Sequence, residues 1–350
     1  MLVFLVMAVV LYGVGAVLGI KRRARWIMIA VLYVCFFIAS VLLPTTSPFR
    51  IMSDPEAWLV TGGLIVVSLI YAWGLRWLRS RAKEPETTLN EGSFSDTELN
   101  RYARHIVLRE IGGLGQKKLK EAKVLVVGAG GLGSPALLYL AAAGVGTIGV
   151  IDDDMVENSN LQRQVIHRDD AIGMPKVFSA KAAMLARNPF VSVKPYHRRL
   201  TGEEGNALIA EYDVVLDGTD NFETRYLVNR ICFEQAKPLI SGALSQWEGQ
   251  LSVFDPASGT PCYQCIFPQQ PAEGSAPSCA EAGVIGPLPG IVGAMMAAEA
   301  IKVVTDAGAA LHGDMMLYDA LWGEIRKIQL KPRGDCPVCG SRPSKKIAAA

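Results

Sequence analysis

Residues Lys123–Gly133 read KVLVVGAGGLG, and this stretch decides the fold. Lys123–Val127 is a short apolar run of β-branched residues closed by glycines, the pattern of a strand buried on both faces of a parallel sheet. Gly128, Gly130 and Gly133 follow as G-x-G-x-x-G, with Gly131 between them, and Ser134–Ala143 continues as an Ala/Leu-rich helix. Glycines at such a strand-to-helix turn let backbone N–H groups approach a phosphate at the helix N-terminus. A second strand, Thr147–Ile151, ends in Asp152, placed as a ribose-binding carboxylate would be. Strand, glycine turn, helix and terminal acid together predict a nucleotide-binding βαβ unit.

Downstream the connection is unusually polar, DDDMVENSNLQRQVIHRDDAIGMPK, and carries Asn160, Arg163 and Lys176. Two cations here suit a triphosphate and a charged transition state; a solvated loop explains the same residues equally well. Val177–Ala186 reads as a helix, Val191–Tyr196 and Tyr212–Leu216 as strands. The last ends in Asp217-Gly-Thr-Asp220-Asn221, at the strand end where open parallel sheets bind ligands. Asp220 suits a magnesium ion held against phosphates; Asp217 suits either that end of the site or a cap on the next helix. Upstream, Ser95-x-x-Glu98 is a capping box opening a helix that Gly112 and Gly113 are expected to end. Alone, Arg104 on that helix reads as a surface residue.

The N-terminal part has a different character. Leu2–Ile20, Trp26–Leu43 and Ala57–Leu75 are apolar, uncharged and about the length that a bilayer-spanning helix requires. They predict three transmembrane helices and a mean hydropathy raised to +0.26 for the chain. Lys21, Arg22, Arg23 and Arg25 lie between the first two, and Arg76, Arg79, Arg81 and Lys83 follow the third. The positive-inside rule then puts everything after the third span in the cytoplasm. The expected organisation is a membrane anchor over residues 1–79, a linker over 80–93 and a catalytic domain over 94–350. Gly286–Val304 is also apolar, but its prolines, Glu299 and Lys302 argue for a buried helix. A formal net charge of +2 gives no reason to expect nucleic acid as a partner.

Cys262-x-x-Cys265 and Cys336-x-x-Cys339 form two separated pairs. In a reducing compartment, where disulfides are disfavoured, they read as a closed four-cysteine zinc site. Cys35 and Cys232 read as packing residues, and the four histidines show no ligand spacing. Residues 268–278, rich in Pro, Ala, Gln and Gly, are expected to be mobile, with Cys279 directly after them.

In order, GAGGLG, Asp152, SNLQRQ, GMPK, DGTDN, SGA, the first CxxC, CAEAGV and the second CxxC give a chain that resembles the ThiF/MoeB/HesA family, bacterial relatives of ubiquitin-activating E1 enzymes. The resemblance covers Phe94 to about Gly340 and leaves the three spans outside it; no sulfurtransferase domain is expected after it. It implies an α/β, Rossmann-like, mostly parallel sheet flanked by helices, with a zinc site. It implies adenylylation, with ATP and Mg2+, of the C-terminal glycine of a small ubiquitin-like sulfur carrier ending in Gly-Gly. By motif match the glycine loop (Gly128, Gly130, Gly131, Gly133) takes phosphates and Asp152 takes the ribose. Asn160, Arg163 and Lys176 match phosphate and transition-state contacts, which decides the reading of the polar connection, and Asp220 matches a magnesium-associated acid. Arg104 matches an arginine that reaches a partner subunit's ATP, implying a homodimer. Cys279 falls in the loop that crosses over the substrate tail, where some members use a cysteine covalently; that role and a purely passive one stay open. A nicotinamide-dependent oxidoreductase would share only the loop and Asp152, and a non-catalytic membrane receptor would not need Arg163, Lys176 and Asp220.

Overall fold

The computed structural model describes residues 2–19, 22–42, 55–81, 94–270 and 282–340. The chain divides into two units, Met1–Thr88 and Leu89–Ala350.

The first unit holds α1 (Leu2–Val17), α2 (Arg22–Leu42) and α3 (Pro55–Arg81). Trp58, 1% exposed, is enclosed by the rings of Phe4, Tyr33 and Phe36, and the Tyr33 hydroxyl donates to its carbonyl. Beyond this knot the apolar residues face outward: Val9, Val10, Ile27, Val31, Leu64 and Val67 are all exposed. The expectation of three spans needs correction. Among the described residues of these helices, only Ala24–Leu42 is long and apolar enough to cross a membrane; Val6–Ala16 and Trp58–Gly74 are shorter. Gly19 turns into the left-handed region at φ +69° and stops α1 at Val17, short of the expected Ile20.

The second unit is one eight-stranded sheet in the order β3-β2-β1-β4-β5-β6-β7-β8. Strands β1 (Lys123–Val127), β2 (Thr147–Ile151), β3 (Ser192–Tyr196), β4 (Val214–Asp217) and β5 (Leu239–Leu244) are parallel. Strands β6 (Glu248–Phe254), β7 (Asp314–Asp319) and β8 (Glu324–Gln329) continue it antiparallel. The apolar run of β1 follows from burial on both faces. Val124 and Val126 enter one core with α6 (Gly133–Ala143) and α7 (Lys176–Arg187), while Leu125 and Val127 enter another with α8 (Gly202–Ala210) and α9 (Phe222–Glu234). The strand order reverses between β2-β1 and β1-β4, so the carboxyl ends of β1 and β4 flank a topological switch point.

The capping box forms: the Glu98 N–H donates to Ser95 Oγ, and Glu98 accepts from the Ser95 N–H at 2.9 Å. The helix it opens, α4 (Asp96–Ile106), stops before the glycines; Gly112, at φ +62°, instead opens α5 (Gly112–Glu121). The apolar helix Pro287–Thr305 (α11, after the short α10, Tyr263–Ile266) passes the same length test for a span, yet half of it is buried. Its Met296 and Ala300 lie in the core of the sheet, and buried Glu299 accepts from Leu311 N and pairs with Lys302.

Candidate nucleotide site and cysteine cluster

The glycine loop leaves β1 at the switch point, and each glycine has its own reason. Gly128 holds φ +93°, and a Cβ there would stand 3.3 Å from the Gly218 backbone. A Cβ on Gly133 would lie 1.9 Å from the Gly128 carbonyl oxygen, and one on Gly131 would press on Pro289 at 3.0 Å. Gly130 differs. Its nearest neighbour would be Gln164 Nε2 at 3.7 Å, so nothing in the protein itself requires a glycine there. That open face leaves its backbone accessible to a ligand such as a phosphate.

Asp152, at the end of β2, accepts from the Ala129 N–H at 2.7 Å through one oxygen and from the Asp154 N–H at 2.8 Å through the other. Burial pushes its carboxyl pKa up, against the pull of the Lys176 charge and those two N–H groups. The polar connection is not a loosely solvated loop. Its 3-10 turn, Asn158–Asn160, brings Arg163 Nη2 to Asn160 Oδ1 at 2.9 Å, with Nη1 on the Ser159 carbonyl. Lys176, the first residue of α7, is buried and its ammonium stands 2.6 Å from Asp154. The carboxylates of Asp152, Asp153 and Asp154 lie within 4.8 Å of one another, hard oxygen donors of the kind a magnesium ion takes.

On the other side of the switch point, Val127 pairs in register with Asp217. Asp217 does not cap the following helix; Asn221 does, accepting from the Thr224 N–H at 3.0 Å. Asp217 is fully buried, accepts from the Thr219 N–H and hydroxyl, and stands 3.5 Å from Arg225. Arg225 also donates to Ser241 Oγ and to the carbonyls of Thr219 and Gly242. This buried pair braces the turn that leaves Asp220 exposed, three residues on and at the same sheet edge as the glycine loop. The sequence signal for Arg225 is its place in the helix after DGTDN; its burial, which gives it the bracing role, is visible only in three dimensions. His167, too, carries no local sequence signal: its ring bridges the Ala129 carbonyl and Ser179. Arg104 is exposed in the last turn of α4. Cys279 lies outside the described residues.

The four cysteines meet. Cys262 and Cys265 sulfurs are 3.9 Å apart, Cys262 and Cys336 3.6 Å, and Cys265 and Cys339 3.3 Å. A disulfide would need about 2.05 Å, and none of the four is bridged. A tetrahedral zinc with Zn–S bonds of about 2.3 Å sets sulfur–sulfur edges near ~3.8 Å, so the donor set and spacing fit that metal. Cys265 also accepts the Arg333 N–H at 3.4 Å. Hydrogen bonds, first from the Cys262 thiol, hold the Cys265 thiol below its ordinary pKa, whereas the hydrogen bond to Cys265 and burial push Cys262 up, and burial and the hydrogen bond to Cys265 push Cys339 up. Buried Cys232 is a packing residue, its thiol pKa pushed upward by burial.

Known proteins agree with this geometry. The profile of the ThiF family matches residues 102–338. The chain is 48% identical over 248 residues to the SAMP-activating enzyme E1 of Haloferax volcanii, covering 71% of this chain and 91% of that one. It is 48% identical over 253 residues to the sulfur carrier protein adenylyltransferase of Thermus thermophilus, covering 71% and 93%. It is 45% identical over 251 residues to the adenylyltransferase and sulfurtransferase MOCS3 of Anopheles gambiae, but spans only 57% of that protein. Among solved structures, E. coli MccB with MccA-N7isoASN superposes with a TM-score of 0.62 at 26% identity, over 70% of this chain and 76% of that one. Glycine loop, switch-point acids and matched relatives lead to one conclusion: the chain belongs to the ThiF family and is an E1-like adenylyltransferase.

Proposed function

We propose that this enzyme adenylylates the C-terminal glycine of a small ubiquitin-like sulfur carrier at the expense of ATP. One observation carries the reading: Asp152, Asn160–Arg163 and Lys176 are drawn together beside a glycine loop whose Gly130 face is open. The carrier carboxylate oxygen attacks the α-phosphorus of ATP; the bond to the bridging oxygen breaks and pyrophosphate leaves, so an acyl-adenylate remains. Asp152 accepts from the ribose hydroxyls, and Lys176 and Arg163 neutralise charge that accumulates on the phosphates. A buried lysine already paired to exposed Asp154 can exchange that partner for a phosphate at little desolvation cost. Magnesium, which Asp220 would hold, would supply charge neutralisation on the leaving pyrophosphate. Zinc on Cys262, Cys265, Cys336 and Cys339 would be structural, since four thiolates leave no open position. No protein nucleophile is needed, so Cys279→Ala is expected to keep pyrophosphate exchange.

The enzyme acts as a homodimer in this reading, with Arg104 reaching the partner's nucleotide. Mixing Arg104→Ala with Asp220→Ala subunits should then restore activity in verified heterodimers, and no recovery would count against it. The outward-facing apolar residues of the first unit and the basic residues flanking its helices support a membrane anchor with the catalytic domain in the cytoplasm. ATP–pyrophosphate exchange that depends on an added small protein ending in Gly-Gly tests the reaction; exchange independent of any such protein, or none with any, refutes it.

A further inference from the structure

Among the described histidines only His167 is buried, at 6% exposed. We infer that His167 is a positioning residue for the nucleotide loop, aiming the Gly130 N–H at the bound phosphate and tying that loop to the helix of Lys176; this rests on the nucleotide site proposed above.

His167 Nε2 stands 2.9 Å from the Ala129 carbonyl oxygen and Nδ1 3.0 Å from Ser179 Oγ. A carbonyl only accepts, so Nε2 carries the proton, and the neutral ring takes a hydrogen bond from the Ser179 hydroxyl at Nδ1. Burial pushes the His167 pKa down, opposed by the Ala129 contact and the Asp152 charge and assisted by the Lys176 charge, and so favours the neutral ring. Ser179 is buried on α7, three residues after Lys176.

Ala129 sits between Gly128 and Gly130, neighbours that by themselves leave a peptide free to rotate. Here it is held at both ends, its N–H by Asp152 at 2.7 Å and its C=O by His167. In a trans peptide the C=O and the following N–H point in opposite directions. Pinning the Ala129 oxygen towards His167 therefore turns the Gly130 N–H away from it. Among the described residues that N–H has no acceptor, and Gly130 is the one loop glycine with an unobstructed face. An anionic phosphate oxygen is the acceptor that such a fixed donor suits. One imidazole thus sets the direction of a phosphate donor and its register with the ammonium of Lys176.

The test uses the full-length protein and ATP with Mg2+. His167→Phe keeps the ring and removes both hydrogen bonds; His167→Gln restores a donor of similar reach to Ala129; Ser179→Ala leaves the ring unsteered. Three quantities are read: ATP affinity, amide hydrogen exchange over residues 128–132 without nucleotide, and Tm. His167→Phe is expected to weaken ATP about tenfold and to speed exchange in the loop. His167→Gln should recover most of the affinity, and Ser179→Ala should fall between. A folded His167→Phe with unchanged ATP affinity and loop exchange overturns the inference, as does His167→Gln binding no better than His167→Phe. Should His167→Phe not fold, unaltered ATP affinity in Ser179→Ala overturns it. If the wild-type protein fails to bind ATP, the proposed function falls together with this inference; wild-type binding beside an unaffected His167→Phe defeats this inference alone.

Discussion

The glycine loop separates structural from ligand-imposed constraint, and two alanine substitutions expose the difference. In Gly133→Ala the new methyl would lie 1.9 Å from the Gly128 oxygen and 2.9 Å from its carbon. Ordinary contact is 3.4–4 Å, so the end of β1 or the start of α6 must move by over ~1 Å inside a packed core. Such overpacking costs typically ~1–3 kcal/mol or more, against which alanine's helix propensity returns at most ~1 kcal/mol. A loss of about 2 kcal/mol lowers the Tm of a domain this size by roughly 4–8 °C. In Gly130→Ala the methyl meets nothing closer than Gln164 Nε2 at 3.7 Å, so stability should stay within ~0.5 kcal/mol of wild type. The same methyl occupies the face that the phosphate must approach, and ATP affinity should fall by about tenfold or more. Thermal denaturation without nucleotide, paired with ATP titration, reads both. A Gly130→Ala protein that binds ATP like wild type refutes the placing of the phosphate, and an undisturbed Gly133→Ala refutes the packing argument.

The purified protein should hold about one zinc per chain; Cys262→Ser or Cys339→Ser should unfold the C-terminal segment, because structural zinc contributes on the order of 10 kcal/mol, and metal analysis showing no zinc would contradict this. Acid should weaken the helix that begins at Asp96: burial would raise the Glu98 pKa, but hydrogen bonds from Lys120 and Ser95 and the Lys120 charge outweigh it and hold the group below its ordinary 4.5. A depressed carboxylate contributes stability that is present above 4.5 and lost as pH falls through the folded value. Glu98→Gln should therefore flatten acid denaturation in that window, and an unchanged slope would remove Glu98 from the account. A topology reporter fused at residue 350 should be active only on the cytoplasmic side, one within residues 44–54 only outside, and the reverse pattern would overturn the orientation.

Much of the nucleotide half was legible because it is local. A β-branched run, glycines and a terminal acid specify a βα unit within thirty residues, and β1 and β2 fall on the expected residues. The antiparallel strands β6–β8 were not read. All six residues of β8 are exposed and its sequence EIRKIQ carries charges, so no buried face imprints a pattern. Arg225 and His167 escaped for the opposite reason: their roles come from partners on other elements, Asp217 at the end of β4 and Ser241 on β5 for Arg225, and Ala129 in a loop 38 residues away for His167. The expected three spans failed in the first helix, which the left-handed Gly19 ended earlier than composition alone had it, and in the third, whose apolar stretch Trp58–Gly74 is short. Asp217 takes neither of the two local roles its position suggests: buried beside Arg225, it braces the turn instead.

The central claim is tested most directly by pyrophosphate exchange into ATP with the full-length protein, a Gly-Gly-ending carrier and Asp220→Ala as control. The account predicts exchange only with carrier, ATP and Mg2+ present together, reduced about 100-fold or more in the variant while its Tm stays within a few degrees of wild type. Carrier-dependent exchange that survives Asp220→Ala at the wild-type rate would contradict the assignment of the site, and exchange without a carrier would contradict the reaction.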